Sequence, residues 1–274
     1  MALPQAALAV RDLPEAVRFY CEGLGFALRS RAPGTATVQS PGGTLLLLAA
    51  PAADLSQWPG LRRPAPTAWV YVQHADLPAL AATLEARGIR GEGPEAPYPG
   101  FRRLRVADPN HFVIVFWETL PLTDPSIIAI YRSGPERLQQ ALAGLVPADL
   151  ERRWAPGKRT VRELVHHLVE ADLGALHILH MALAEPGRQL HGDFWDDDAV
   201  VTTLNYADRP VQPAAALFSA ARAWVLDTLA HLPDGLDRSV LWPSGYRADA
   251  RSLLRHAGGH ALHHIGQIAQ AVQP

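Results

Sequence analysis

Two histidines one helical turn apart, His260 and His264, give the clearest chemical signal in the chain, within the segment HAGGHALHHIGQI. Residues at positions i and i+4 share one face of a helix, so both imidazoles can reach one ion. A second pair, His166 and His167, stands upstream in TVRELVHHLVEAD. Three neutral imidazoles that leave coordination positions open suit zinc, nickel or iron, and such a site can activate water or a thiol.

The second pair matters because a lone i,i+4 histidine pair is more often structural than a ligand set. On a helical wheel, His260 and His264 flank the apolar stripe of their helix, where a groove site needs its ligands. The upstream pair also lies on an amphipathic helix, and the wheel barely separates His166 from His167. The stripe of the last helix consists of Leu254, Ala257, Ala261, Ile265 and Ile268.

One carboxylate, Asp172, falls near the centre of the apolar stripe of the upstream helix. We expect it to accept an N–H from a ligand imidazole, which is a common arrangement around bound metals. Asp172 is therefore the candidate catalytic residue, and Glu170 or an acidic segment at 195–199 is an alternative group for proton transfer. A test of this role is whether an Asp172→Ala variant keeps full metal and full activity.

Helical periodicity governs the second half of the chain. Helices are predicted at 126–145, 160–184, 213–231 and 250–272, which together favour an all-α four-helix bundle. Gly258, Gly259 and Gly266 are poor helix formers within the last helix, so we expect a neighbour to approach closely there. The proline-containing stretch before the first of these helices predicts three segments: a domain at 1–120, a linker at 121–126 and a bundle at 127–274.

The first half mixes short strands with two helices. Strands are predicted at ALAV, ATVQ, GTLLLLA, AWVYVQ, FRRLRVA and FVIVFWE. Both helices open with Asp-Leu-Pro, at Asp12 and again at Asp76. Aspartate can cap a helix, and proline in the first turn loses no needed hydrogen bond. The repeat predicts an internally duplicated α+β domain.

Composition excludes several classes of partner. A formal charge of −2 and a pI near 6.6 leave no basic face for nucleic acid or an anionic membrane. The single cysteine, Cys21, excludes an internal disulfide, and the first residues show no signal-peptide pattern. The apolar run TLLLLAA is too short to cross a bilayer. We expect a soluble, cytoplasmic protein with a small-molecule substrate and no nucleic-acid or membrane partner.

The segments GPERLQQALAGL, APGKRTVRELVHHLVEAD and HAGGHALHHIGQI resemble the DinB-like superfamily, particularly its YfiT-like branch. The resemblance implies a metal-binding four-helix bundle in which His167, His260 and His264 hold a divalent ion, zinc first and nickel or iron as alternatives. It also implies thiol S-transferase or hydrolase chemistry on a small electrophile, with a low-molecular-weight thiol as one cosubstrate. The sequence departs from the branch at Arg159, where tryptophan is usual, and at Val200, where an aromatic is usual.

The segments VRDLPEAVRFYCEGLGF and VADPNHFVIVFWE resemble the vicinal-oxygen-chelate superfamily, the glyoxalase and bleomycin-resistance fold. This resemblance implies paired βαβββ repeats over roughly residues 4–118. The positions that bind metal in catalytic members correspond here to Gln5, Leu46, Thr67 and Val115, so we interpret this half as metal-free. Four aromatic residues of this half could either line a binding cup or pack in the core, and both roles stay open: Trp69, Tyr71, Phe116 and Trp117.

Three functions remain open at this point. The first, which we favour, is a divalent-metal-dependent enzyme of detoxification type whose N-terminal domain binds or shields a small molecule. The second is a non-catalytic resistance protein that sequesters a drug or metabolite. The third is a module in which metal only stabilises the bundle. Both families often form dimers, so a homodimer is one open assembly.

Overall fold

A computed structural model describes residues 4–66, 68–190, 200–201, 203–242 and 247–273. These residues form two compact units, which divide between Leu120 and Pro121. Within the described residues, no helix combines the length and the apolar character needed to cross a membrane.

Two four-stranded sheets, each with one helix, make up the first unit. In both sheets the first strand pairs in parallel with the last, and the other pairs are antiparallel, with orders β1-β4-β3-β2 and β5-β8-β7-β6. The predicted pair of βαβββ repeats is therefore confirmed. The first repeat contains β1 (Ala6–Ala9), α1 (Leu13–Arg18), β2 (Ala27–Ala32), β3 (Thr35–Gln39) and β4 (Leu45–Ala49). The second contains β5 (Trp69–Gln73), α2 (Leu77–Ala86), β6 (Glu92–Tyr98), β7 (Phe101–Ala107) and β8 (Val113–Thr119).

Both helices of this unit begin where the Asp-Leu-Pro repeat predicts. Asp12 accepts the Glu15 N–H at 2.8 Å, and Asp76 accepts the Ala79 N–H at 2.9 Å. An aspartate cap stabilises a helix by about 1 kcal/mol. The duplicated sequence signal thus corresponds to a duplicated cap.

The edge strands β2 and β6 were not predicted from the sequence. Every residue of β2 is exposed, and five of the seven residues of β6 are exposed. A strand with no buried face carries no apolar alternation. Pro94 and Pro97 further argue against a strand at β6, since proline is confined to sheet edges and bulges.

The core of the first unit joins both repeats. Residues from the two helices and from one face of each sheet form a single apolar cluster. Inside it, the hydroxyl of Tyr20, which follows α1, donates to Asp108 at 3.1 Å. Asp108 also accepts the backbone N–H groups of Asn110 and Phe112, both at 2.8 Å. This buried carboxylate therefore connects the helix of the first repeat to the β7–β8 turn of the second.

Four long helices form the second unit and confirm the predicted bundle. They are α3 (Asp124–Leu142), α4 (Val161–Ala184), α5 (Val211–Ala230) and α6 (Ala250–Val272). Helix α3 begins inside the predicted linker because Thr123 caps it by accepting the Ser126 N–H. A short antiparallel hairpin of β9 (Ser239–Leu241) and β10 (Arg247–Asp249) precedes α6.

In the bundle, α3 packs against α5 and α6, and α4 packs against the same two helices. Helices α3 and α4, which are neighbours in sequence, therefore lie diagonally opposite each other. The expected close approach is confirmed at Gly258, where an added Cβ would lie 3.2 Å from the Tyr131 backbone nitrogen. It is wrong at Gly266, where an added Cβ would meet nothing within 4 Å.

The described part of the second unit contains three apolar clusters, two among the four helices and one where α4 meets the β9–β10 hairpin, and a buried ion pair joins α4 to α5. All five residues of the predicted α6 stripe are buried, which confirms it. The cluster next to the histidines contains Leu138, Val161, Leu164, Val165, Leu168, Val169, Val211, Ala214, Phe218, Ala261, Ile265, Ile268 and Ala271. The second contains Ile127, Tyr131, Leu179, Leu183, Val225, Ala250, Leu254 and Ala257.

Candidate metal centre

Three histidine side chains converge between α4 and α6. The Nε2 atom of His260 lies 3.3 Å from Nε2 of His167 and 3.0 Å from Nε2 of His264. One ring nitrogen from each of the three lies within 4.8 Å of the other two. Among the described residues, no other group of three His, Cys, Asp or Glu side chains is close enough to share an ion.

The spacing of these nitrogens fits a metal ion. Zinc binds imidazole nitrogen at about 2.0–2.1 Å, so two nitrogens of a tetrahedral site lie roughly 3.3 Å apart. His167 is buried, with 7% of its surface exposed, whereas His260 and His264 are half-buried. The cluster is therefore reachable from solvent, and three protein ligands leave a coordination position for an exogenous group.

Burial keeps the three imidazoles neutral. Together with smaller effects of His264 and Arg159, burial lowers the pKa of His167 to about 3. It also lowers the pKa of His264 to about 4 and that of His260 well below its usual value. Neutral imidazole has the lone pair that coordinates metal. At neutral pH the cluster thus offers three donors without first losing protons.

The helix starts fix where these histidines lie. A capping box begins α4: Thr160 accepts the Glu163 N–H at 3.2 Å, and the Glu163 carboxylate accepts the Thr160 N–H at 2.7 Å. Helix α6 begins at Asp249, which accepts the Ser252 N–H at 2.8 Å. Each cap sets the register of its helix, and the i,i+4 spacing then brings His260 and His264 to the face that meets α4.

Gln267 is a member of this site that the sequence analysis missed. The Nδ1 atom of His264 lies 2.7 Å from the Gln267 Oε1, and the Gln267 Nε2 lies 3.0 Å from the Nε2 of His263. Gln267 is buried, with 9% exposed. The available signal was a glutamine three residues after a candidate ligand, on the edge of an apolar stripe.

The structure separates the two upstream histidines. His167 faces α6, whereas the Nε2 of His166 lies 3.3 Å from the Arg209 carbonyl oxygen. The ring of His166 also packs against Tyr206, with centroids 5.1 Å apart. His166 is therefore a buried residue that contacts the segment before α5, and His167 is the one that joins His260.

Asp172 has a different partner from the one expected. Its two carboxylate oxygens accept from Arg222 at 2.6 and 2.9 Å, and both residues are buried. The expected hydrogen bond from an imidazole to Asp172 is replaced by the one from His264 to Gln267. The sequence could not indicate this pair, because Arg222 lies on another helix.

The other candidate proton-transfer groups stay predictions. The charge of Glu170 acts on His166, one turn earlier on α4. The acidic segment 195–199 lies outside the described residues.

Two of the expected metal positions of the first unit hold buried apolar side chains. Leu46 and Val115 are buried, with 0% and 1% exposed, and Gln5 is exposed. Thr67 lies outside the described residues. The metal-free interpretation of this half stays a prediction.

One face of the second sheet carries exposed aromatic residues. Trp69 and Tyr71 on β5 are 37% and 46% exposed, with ring centroids 6.1 Å apart. The Arg103 guanidinium lies over the Trp69 ring, 5.6 Å from its centroid. Trp117 shares this face through the β5–β8 register. Phe116 is fully buried in the core, so core packing is its role.

The family comparisons agree with both folds. Residues 130–268 match the profile of the DinB superfamily, and residues 2–116 match that of the glyoxalase, bleomycin resistance protein and dioxygenase superfamily. The chain belongs to the DinB superfamily, and its N-terminal domain is of the glyoxalase and bleomycin-resistance type.

Solved structures resemble each half separately. YfiT from Bacillus subtilis is described as a probable metal-dependent hydrolase with an unusual four-helix bundle topology. It is 19% identical in sequence, with a TM-score of 0.50, and the match covers 55% of this chain and 88% of that one. TnmS3, an antibiotic binding protein from Streptomyces sp. CB03234, is 26% identical with a TM-score of 0.35. Its match covers 44% of this chain and 98% of that one. A glyoxalase/bleomycin resistance protein from the same organism is 28% identical with a TM-score of 0.33. Its match covers 40% of this chain and 97% of that one. No curated protein matches the chain.

Proposed function

We propose that the bundle is a divalent-metal-dependent enzyme that acts on a small electrophile, either as a thiol S-transferase or as a hydrolase. The observation that carries the proposal is the convergence of the His167, His260 and His264 nitrogens at 3.0 and 3.3 Å. The description of YfiT as a probable metal-dependent hydrolase agrees with it. Detoxification is the physiological role that this chemistry suits.

The three histidines would hold the ion, and zinc is the first choice because imidazole ligands in an open three-residue set suit it. When bound, such an ion lowers the pKa of a coordinated water or thiol and so supplies a nucleophile at neutral pH. The protein's own contribution is a set of three neutral imidazoles, one buried and two half-buried, with Gln267 in contact with one of them. Asp172 remains a candidate for proton transfer, although its ion pair with Arg222 favours a structural role.

We propose further that residues 1–120 form a small-molecule-binding domain, joined through 121–126 to the catalytic bundle at 127–274. The start of α3 at Asp124 makes the second part of this linker helical. A cytoplasmic location and assembly as a homodimer complete the proposal.

A second candidate function is ligand sequestration by the first domain without turnover. The exposed pair Trp69 and Tyr71, with Arg103 over one ring, favours a planar aromatic ligand, since aromatic faces stack and bind cations. Quenching of tryptophan fluorescence by such a ligand, abolished in Trp69→Ala and kept in Trp224→Ala, would support it. Sequestration alone requires that no substrate is converted.

The deciding experiment is elemental analysis of untagged protein purified without chelator, with alanine variants of His167, His260 and His264 alongside. We expect about one equivalent of metal in the unchanged protein and loss of it in each variant. His166→Ala is the matched control, since that histidine is adjacent and buried but turned to Arg209. If the protein neither contains nor takes up metal, the enzyme proposal is wrong.

A further inference from the structure

The hydrogen bonds around His264 form a chain of three side chains along α6. His264 Nδ1 lies 2.7 Å from Gln267 Oε1, and Gln267 Nε2 lies 3.0 Å from His263 Nε2. The amide of Gln267 thus contacts an imidazole at each end. It is 9% exposed, so water does not compete freely for either contact.

The direction of this chain decides which nitrogen of His264 carries the proton. A neutral imidazole has one N–H and one lone pair. When the Gln267 carbonyl oxygen faces Nδ1, the proton must lie on Nδ1, and Nε2 keeps its lone pair. The Nε2 atom is the one that faces His260, at 3.0 Å. The opposite amide orientation would place the proton on Nε2 and block that atom.

The structure shows the first orientation. The Gln267 amide oxygen faces Nδ1 of His264 at 2.7 Å, and the amide nitrogen faces Nε2 of His263 at 3.0 Å. A hydrogen bond to the second ring nitrogen is the usual way in which proteins fix the orientation of a metal-binding histidine. An amide in this role adds no negative charge, unlike a carboxylate.

We propose that Gln267 is a positioning residue, which holds the proton of His264 on Nδ1 and so keeps its Nε2 free to bind metal. This inference rests on the proposed metal function, and it concerns only the orientation and proton position of one ligand. His263 is the outer member that holds the amide in place.

The first test is the tautomer of His264 in the metal-free full chain. Histidine-selective ¹⁵N labelling and long-range ¹H–¹⁵N correlation at neutral pH distinguish a protonated Nδ1 from a protonated Nε2, and the His264→Ala variant assigns the signal. We expect the Nδ1–H form in the unchanged protein and in Gln267→Glu, whose carboxylate can still accept. In Gln267→Leu we expect a mixture or the Nε2–H form.

The second test is zinc affinity in the same variants. Gln267→Leu should weaken binding by about 10–100-fold, as is typical for loss of such a partner, and Gln267→Glu should restore it. Gln270→Leu is the matched control, because Gln270 is an exposed glutamine one turn after Gln267 on the same helix. Circular dichroism checks that each variant folds.

The outcomes separate the two proposals. An Nε2–H form of His264 in the unchanged protein, or an unchanged tautomer and affinity in Gln267→Leu, overturns the positioning role. Failure of the unchanged protein to bind zinc overturns the metal function, whereas the tautomer still decides what Gln267 does to His264.

Discussion

Arg222 donates to both carboxylate oxygens of Asp172 in the interior of the bundle, at 2.6 and 2.9 Å. The same guanidinium donates to the carbonyl oxygens of Tyr131 at 2.8 Å and Ala257 at 2.9 Å. One buried side chain on α5 therefore contacts backbone or side-chain groups of α3, α4 and α6. Phe218 and Tyr131 cover it, each with the ring centroid 4.3 Å from the guanidinium carbon.

Removal of one partner of this pair should destabilise the bundle strongly. Asp172→Ala leaves the Arg222 charge buried with half of its acceptors, and loss of one partner from a buried pair costs about 3–5 kcal/mol. Urea denaturation measures the effect. The double variant Asp172→Leu with Arg222→Met should recover part of the loss, since no charge then remains buried. If Asp172→Ala keeps its stability but loses activity, Asp172 acts in catalysis rather than in folding.

Gly134→Ala should also destabilise the bundle, because the added methyl group would collide with the Arg222 guanidinium and lie 3.3 Å from the Phe218 ring. Overpacking of this kind costs about 1–3 kcal/mol. Gly266→Ala is the control: nothing lies within 4 Å of its Cβ position. There, alanine should stabilise α6 by roughly 0.5–1 kcal/mol. Equal effects of the two substitutions on the denaturation midpoint would contradict this account.

The metal-free protein should lose stability as the pH falls below about 6.5, the value of an unfolded histidine. The folded pKa of His167 is about 3 and that of His264 about 4. Between these folded values and pH 6.5, the unfolded chain therefore binds more protons than the folded one. The free energy of unfolding keeps its full value well above pH 6.5 and falls on acidification.

Between pH 6.5 and pH 5 the expected loss in the free energy of unfolding is about 1.7 kcal/mol for a buried imidazole such as His167. Urea denaturation of chelator-treated protein at both pH values gives the change in the free energy of unfolding with pH. His167→Asn should show a shallower dependence on pH than the unchanged protein. An identical slope would mean that His167 does not titrate with folding.

Metal removal should lower the melting temperature, because an ion that binds only the folded state stabilises it by mass action. At a free zinc concentration one hundred times the dissociation constant, the gain is about 2.7 kcal/mol. Differential scanning calorimetry with and without chelator measures it. The His264→Ala variant should melt at the same temperature in both conditions. His231 is an exposed residue at the C-terminal cap of α5, and the His231→Ala variant should respond like the unchanged protein.

Much of this fold could be predicted from the sequence, and the omissions have physical reasons. Local signals such as the Asp-Leu-Pro caps and the apolar stripes placed the helices within a few residues of their observed ends. Strand β2 was missed because it buries no face. The pairing of Asp172 with Arg222 was missed because two charges distant in sequence give no local signal.

The candidate site was predicted unevenly for the same reason. The spacing of His260 and His264 is a local property of one helix, so their convergence could be expected. The choice of His167 over His166 depended on the resemblance, because both lie near the boundary of one stripe. Gln267 was missed because a glutamine has no distinctive pattern, and its role appears only once the side chains are placed.

The convergence of His167 with two histidines of α6 has a consequence for biosynthesis. Helix α4 meets α5 and α6, and two of the three imidazoles belong to α6, the last helix of this unit to leave the ribosome. A nascent or truncated chain that ends before Ala250 carries His167 alone and lacks the carbonyl of Ala257 that Arg222 binds. The three-histidine group is thus complete only when the bundle is complete, and a chain interrupted before α6 lacks two of its three members.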